Sequence, residues 1–521
     1  LLDIAELFIL TDCCQNLRVA IERTDTKPRE EGDGRLGGLP PIAMGPIAAV
    51  AASLAVLLTA LSGRYGFHRD ELYFMVAGDH PDWGYVDQPP LTPLLARVST
   101  ALLGDSPAAL RVVATILCVA AVVTVALIAR ELGGDRRTQT VAACCAAASG
   151  IVLGLGHLLA TATFDMLAWL VISLLVLRLL RTGDGRWFVA IGLAVGVGME
   201  NKQLLGLLVV TLFLALLLVG PRDVLRTRWL PIGALIAAVI AAPNLIWSAA
   251  HGWPQFAVAA GISEDGADDR VMLLPLLVAQ LSPLFLPIWV AGLVRLWRDP
   301  SVRWARLIPV ATVLLFAVVL FTGGKAYYVL PLLMVSMAAG VAPVVRWARP
   351  RVLVAGIAVA AAVNVVIGLP VLPPAAAGLP NALNAEVGEQ IGWPEFVRSV
   401  ADAWNRIPEA DRARAVIFAQ NYGEAAAIAR YGPEHGLPAA YSGHMSYADW
   451  GPPPDTADGP VLLVHAAENR RIPARFTDCR LVGPVDIGYD IDNQVSENVI
   501  RICGPAPVSW SALWPSLRNT R

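Results

Sequence analysis

The sequence predicts an α-helical, polytopic membrane protein of about eleven transmembrane helices, followed by a C-terminal extracytoplasmic α/β domain. Three observations carry that expectation. Of 521 residues, 56% are hydrophobic and only 16% are Asp, Glu, Lys or Arg, with a mean hydropathy of +0.58. So little charge cannot cover a water-soluble surface, so most of the chain must face lipid. Apolar runs long enough to cross roughly 30 Å of hydrocarbon recur up to residue 370. Finally, the arginines are distributed unevenly between the loops that join those runs.

Residues 1–40 hold a short apolar patch and then charges from Glu22 to Arg35. With no basic start and no cleavage site they read as a disordered cytoplasmic tail or a misjudged start, not a signal peptide. The expected spans are 41–61, 108–130, 138–157, 164–181, 187–199, 203–219, 229–249, 272–294, 304–321, 326–344 and 351–370. The fifth is too short to cross alone, and Glu200, Asn201 and Lys202 follow it. Irregular backbone at membrane depth requires shielding by protein or a water-filled cavity. With these spans, Arg130/Arg136/Arg137, Arg178/Arg181/Arg186, Arg222/Arg226/Arg228, Arg295/Arg298/Arg303/Arg306 and Arg346/Arg349/Arg351 all fall on one side. The positive-inside rule makes that side cytoplasmic, which expects the bacterial plasma membrane with the N-terminus inside.

The outward loops then include 62–107, 250–271 and everything after about 370. In 371–521, Ala415–Ala419 and Val461–Val464 read as buried strands and Glu424 to Arg430 as a helix, which gives the soluble α/β domain. Cys479 and Cys503 lie in that region and are a candidate disulfide on an oxidising face. Cys118, Cys144 and Cys145 lie in apolar runs and read as packing residues. The net charge of −2 and the lack of a basic run give no sign of a nucleic-acid partner.

Polar residues with chemical potential concentrate on the outer side. The first outer loop, the 62–107 segment, carries Arg69, Asp70, Glu71, Asp87 and Gln88 among aromatics. The plain reading of Asp70 and Glu71 is a helix N-cap with favourable charge. Their company in one loop at the membrane surface argues for a site. From Leu91, the spacing of Leu94, Leu95, Val98 and Leu102 predicts an amphipathic helix lying in the interface. Asp165 stands at the mouth of a span, where an acid faces protein or a cavity. Lys202 and Lys325, the latter followed by Tyr327 and Tyr328, stand on a face otherwise poor in cations. Snorkelling explains such lysines, and so does an anion such as a lipid-linked phosphate. Glu264, Asp265, Asp268 and Asp269 could hold a divalent cation, but their spacing matches no ligand motif and a solvated acidic loop accounts for them.

Several short pieces together resemble the glycosyltransferase family 39 group, which has the GT-C fold and contains bacterial protein O-mannosyltransferases and lipid A aminoarabinose transferases. The pieces are Arg69-Asp70-Glu71-Leu72-Tyr73, Asp87-Gln88-Pro89-Pro90-Leu91, Thr163-Phe164-Asp165, Asn201-Lys202, Pro243-Asn244 to Trp247, and Gly324-Lys325-Ala326-Tyr327-Tyr328. In the tail, Asn421-Tyr422-Gly423-Glu424 and Ser442-Gly443-His444 to Tyr447 look like an actinobacterial-type branch. The resemblance implies a polyprenyl-monophosphate sugar donor and transfer on the outer face to a protein, lipid or glycan acceptor. It implies Asp70 as the essential acid and favours it over Glu71 as the base, with Asp165 and Lys202 as a second acid and its basic partner; Glu71 stays a candidate catalytic acid by its place beside Asp70. Arg69, Asp87, Gln88, Lys202, Lys325, Tyr327 and Tyr328 are the implied contacts to donor sugar and phosphate. Gln88 departs from the aminoarabinose transferases, which carry lysine directly before Pro-Pro-Leu. The competing class is a polytopic transporter or lipid flippase, which predicts polar residues through the whole membrane depth and repeat symmetry.

Overall fold

A computed structural model of the chain describes residues 38–265 and 267–520, with the side chains of 264–269 left aside. The expected N-terminal tail therefore lies almost wholly outside the described residues, with Cys13 and Cys14, and so do the side chains of the acidic group at 264–269.

Among the described residues, six helices are long and apolar enough to cross a membrane: Met44–Leu61, Pro107–Glu131, Thr161–Thr182, Trp229–Ala250, Leu330–Trp347 and Pro350–Gly368. Three shorter apolar helices, Trp187–Met199, Leu205–Val219 and Leu307–Thr322, fall where shorter spans were expected. Two expected spans are instead sharply bent pairs. Arg136–Ala147 meets Gly150–Gly156 at 60°, and Arg270–Leu281 meets the segment Pro283–Arg298 at 85°. The second bend falls where Ser282 precedes Pro283 and takes φ 123°. Proline both blocks the helical conformation of the residue before it and lacks an N–H to continue the ladder. At the first bend, the Ala148 carbonyl freed from the ladder accepts from Asn364 Nδ2 at 2.8 Å, as apolar surroundings require.

Helices approach closest at small residues. A Cβ on Gly292 or Gly340 would run into the backbone of the facing helix, so Leu286–Arg298 and Leu330–Trp347 cross in backbone contact. Helix Leu91–Leu103 exposes Leu94, Val98, Leu102 and Leu103 and buries Thr92, Pro93, Ala96 and Ser99. Its apolar side faces outward, as a helix lying in the membrane interface requires. The 250–271 segment, expected as a loop, is mostly helix Pro254–Asp265.

Beyond Gly368 the chain forms a small C-terminal domain around a five-stranded sheet. Its strands are β1 (Val416–Ala419), β2 (Ala440–Tyr441), β3 (Val461–Ala466), β4 (Arg480–Pro484) and β5 (Asn498–Cys503), in the order β2-β1-β3-β5-β4. β1 runs parallel to β2 and β3, while β5 runs antiparallel to β3 and β4. Every residue of β1 is buried, as its continuous apolar run demands. Cys479 and Cys503 are bonded, with S–S 2.04 Å. Apolar side chains of the 62–107 segment, among them Phe67, Leu72 and Tyr73, share one core with Trp393, Phe396 and Ile428 of the C-terminal domain. That shared core fixes the sheet domain over the loop.

Candidate functional site

The helix Arg69–Asp79 begins at His68, whose Nδ1 accepts the Asp70 N–H at 3.1 Å. Glu71 completes a capping box by accepting the His68 N–H at 2.8 Å. The same carboxylate accepts from Arg111 at 3.0 and 2.8 Å and from the Leu159 N–H at 3.0 Å. Both Glu71 and Arg111 are fully buried. Arg111 also donates to the carbonyls of Ser62 and Gly66 at 2.9 and 2.8 Å. Glu71, grouped in the sequence with the catalytic acids, is therefore a structural anchor. Its oxygens are committed to protein donors and no solvent reaches it.

Asp70, one residue earlier, points elsewhere. Its Oδ1 accepts from the Tyr422 hydroxyl at 2.7 Å and from Arg69 Nε at 3.3 Å. Burial alone would push this carboxyl up, but Arg69, His68 and the Tyr422 hydroxyl together outweigh it and hold the pKa below the usual aspartate value. The Tyr422 ring lies 4.6 Å from Tyr73 and 5.0 Å from His444. His444 is pushed down to about 4 by burial and by Arg69, and so is neutral at physiological pH. Arg69 reaches Gln494 at 3.1 Å and Glu389 at 3.8 Å. His68 Nε2 donates to Glu386 at 2.9 Å. The C-terminal domain thus supplies much of the shell around Asp70.

Asp87 belongs to the same cluster through the Tyr73 hydroxyl, which donates to it at 2.7 Å. Burial raises its pKa to about 6, against the opposing pull of that hydrogen bond and with help from Asp70. The folded pKa lies above the ordinary value near 3.9, so the folded protein holds an extra proton between about pH 4 and 6. Stability from the protonated form is lost as pH rises through that window. Asp87→Asn is expected to melt later than wild type at pH 7.5, by about 1–2 kcal/mol, with the gain gone at pH 4. Melting curves in detergent at both pH values check this, and an equal shift at both would refute it.

A second cluster surrounds Lys202 in the break between helices Trp187–Met199 and Leu205–Val219. Its Nζ donates to the Tyr327 hydroxyl at 3.1 Å and stands 5.1 Å from the centres of both the Tyr327 and Tyr328 rings. Asp165, buried, accepts from Trp169 Nε1 at 2.9 Å and lies within electrostatic reach of Lys202. A cavity lined by Ile151, Leu155, Met166 and Leu330 opens beside Asp165, Tyr327 and Tyr328. Lys325 is exposed at the start of the 326–328 turn and is not among the Lys202 contacts just described.

The two clusters are joined through the Pro90–Thr92 turn. Leu91 N–H donates to the Glu200 carbonyl at 3.0 Å, and Thr92 Oγ1 donates to Asn201 Oδ1 at 2.6 Å. Asn201 in turn donates to the Thr161 carbonyl at 2.9 Å, at the start of the helix that carries Asp165. Gln88 is buried in the same stretch, and its Nε2 has no partner among the described residues. Among the described residues no group of three or more His, Cys, Asp or Glu side chains is gathered as metal ligands would be.

Sequence reasoning did not place Tyr422, His444, Glu386, Glu389, Arg111 or Tyr73 in the site. The motif Asn421 to Glu424 was visible, but the sheet topology alone carries it to Asp70.

Residues 87–247 match the family model described as dolichyl-phosphate-mannose-protein mannosyltransferase. Among solved structures, ArnT from Cupriavidus metallidurans in the apo state superposes with a TM-score of 0.55 at 14% identity, covering 88% of this chain and 98% of that one. The same protein bound to undecaprenyl phosphate gives 0.55 at 16% identity, with 88% and 98% covered. The oligosaccharyltransferase of Archaeoglobus fulgidus in the apo form gives 0.45 at 14% identity, over 71% of this chain and 59% of that one. No curated protein sequence matches the chain. The matched segment holds Asp87, Asp165 and Lys202, and the ArnT likeness runs through nearly the whole chain at the level of fold. At the level of fold the resemblance read from the loop motifs holds: the chain is a multi-pass helical membrane protein with the GT-C fold of ArnT.

Proposed function

We propose that the chain moves a sugar from a polyprenyl-monophosphate donor to an acceptor hydroxyl on the outer face of the membrane. The reaction is an inverting displacement at the anomeric carbon. Asp70 takes the acceptor proton as the new glycosidic bond forms, and the lipid phosphate departs with the electrons of the broken bond. The acid kept ionised by Arg69, His68 and Tyr422 suits a base that must be deprotonated before the acceptor arrives. Lys202 stabilises the charge that develops on the departing phosphate, with Tyr327 and Tyr328 holding the ammonium in place. Asp165 keeps the lysine oriented.

The observation that carries this reading is the join between the two clusters, with Leu91 bonded to Glu200 and Thr92 to Asn201. It ties the loop bearing a poised acid to the break bearing a caged cation. Apolar Ile151, Leu155, Met166 and Leu330 stand beside Asp165, Tyr327 and Tyr328, an apolar-to-polar junction of the kind an isoprenoid phosphate requires. The undecaprenyl phosphate bound in the ArnT structure supports the same donor class. The five arginine clusters at the opposite ends of the spans support the outward orientation of Asp70. Arg69 and Asp87 are proposed as contacts to sugar hydroxyls, and Gln88 as a neutral donor to sugar or phosphate. Lys325, at the rim, is proposed as an outer phosphate contact.

Lys202→Ala tests the phosphate site. Undecaprenyl phosphate affinity, measured on the purified chain, is expected to fall about 10- to 100-fold, in line with the loss of one charge-assisted contact. Unchanged affinity in a folded variant would remove Lys202 from the donor site.

A further inference from the structure

A cleft of about 330 Å³ opens between the first outer loop, the end of helix Trp229–Ala250 and the C-terminal domain. Two imidazole–indole pairs line it. His80 stacks on Trp450 at 4.5 Å and 16°, and His251 stacks on Trp247 at 4.0 Å and 17°. The second pair lies directly on loop backbone. A side chain at residue 84 would collide with the Trp247 indole and the Asn244 amide, so only glycine fits there. Asn244 Nδ2 holds the loop by donating to the Trp83 carbonyl at 2.9 Å.

The polar groups of the cleft are of a particular kind. Asp82 and Asp449 are exposed at its edge, Asp449 paired there with Arg518, and among the described residues the lining itself holds no Lys or Arg. Trp247 is only 9% exposed, yet its Nε1–H has no partner among the described residues. A buried donor left without an acceptor costs about 1–3 kcal/mol, so a small shift of the ring that brings it to a bound hydroxyl recovers energy. The inner end of the cleft reaches Ser446, whose Oγ accepts the Val86 N–H at 3.0 Å. Val86 precedes Asp87. Trp450 also lies 6.2 Å from the Tyr73 ring, the side chain that links Asp87 to Tyr422 and Asp70.

We propose that this cleft is the acceptor subsite and that it takes a neutral saccharide. This rests on the transfer reading above. A pyranose has one face of C–H groups, which an indole plane removes from water, and a rim of hydroxyls, which carboxylates accept from and an indole N–H donates to. Among the described residues the lining holds no Lys or Arg, and the neighbouring Arg518 is already neutralised by Asp449, which disfavours a phosphorylated or otherwise anionic acceptor. An extended peptide would need backbone donors and acceptors along an open strand edge, whereas this cleft offers side-chain planes. A saccharide seated here points a hydroxyl past Ser446 toward the Tyr73–Tyr422–Asp70 array.

The test uses the full chain in nanodiscs and saturation-transfer NMR. The probes are maltotriose, cellotriose and a ten-residue Ser/Thr peptide, with undecaprenyl phosphate and a polyprenyl-phosphate hexose as competitors. At least one trisaccharide is expected to receive saturation, with a signal at least fivefold weaker in Trp450→Ala and in His80→Ala, the latter an exposed position tolerant of change. Three results would overturn the assignment. One is transfer to the peptide alone or to no trisaccharide. Another is a saccharide signal untouched by both substitutions. The third is displacement by the polyprenyl-phosphate hexose but not by undecaprenyl phosphate, which would give the cleft to the donor's own sugar. Binding of undecaprenyl phosphate to the wild-type chain is read separately. Its failure alongside a saccharide signal would sink the transfer reading and not the cleft.

Discussion

Asp70→Asn is expected to lower sugar transfer by about 10²- to 10⁴-fold while the variant stays folded. The substitution preserves shape. The remaining amide oxygen still accepts from the Tyr422 hydroxyl, now 2.7 Å from Asp70 Oδ1, and only the negative charge and the basic lone pair are lost. The carboxylate does not hold the fold together. Unlike Glu71 it is only partly buried, with 29% of its side chain exposed, and its partners reach it from the rim of the site. The wild-type acid is held below the usual aspartate pKa, so its activity should show no acid limb from Asp70 across the neutral range. Transfer from a polyprenyl-phosphate sugar is the measurement, with the anomeric configuration of the product read by NMR. Turnover within threefold of wild type, with a matching melting curve, would take the base role away from Asp70.

The neighbouring substitution should behave in the opposite way. Glu71→Ala is expected to destabilise the fold by about 3–5 kcal/mol, because it leaves the buried Arg111 guanidinium without its counter-charge. Arg111 is fully buried and binds Glu71 through two nitrogens. The pair ties together the end of helix Met44–Leu61, the start of helix Arg69–Asp79, helix Pro107–Glu131 and the turn at Leu159. Replacing both partners, as in the double variant Glu71→Leu with Arg111→Met, should recover much of the loss, since the isolated charge goes with its partner. Thermal unfolding in detergent measures both. A single variant that melts within a degree of wild type would show that the pair is dispensable. Adjacent acids would then have to be compared by activity alone.

These contrasting expectations show how far the sequence could lead. Helix placement was largely legible, because the thickness of hydrocarbon sets a length that apolar runs such as 108–130 and 351–370 meet locally. The expected strands at 415–419 and 461–464 fall on β1 and β3, since continuous apolar runs of that length suit a buried sheet. The bends were not legible as such. Hydropathy counts residues without regard to direction, so 272–294 read as one rod although Ser282 and Pro283 break it.

For the candidate site, residue types and grouping came from the sequence, while burial and partners came from the fold. Asp70 and Glu71 are consecutive in one helix, and each residue turns the direction by about 100°. That rotation sends Glu71 into the core against Arg111 and leaves Asp70 facing the C-terminal domain, so the capping explanation suits Glu71 and not Asp70. Lys202 meets Tyr327 although 125 positions separate them, and Asp70 meets Tyr422 across 352. Short-range pattern cannot encode such pairs. By itself the sequence determined a membrane-embedded helical protein, its small sheet domain and the loop that carries the acids, because these follow from local hydropathy and spacing. Only the tertiary structure decided which acid is buried against Arg111 and which stays partly exposed, because burial and hydrogen-bond partners come from elements distant in the chain.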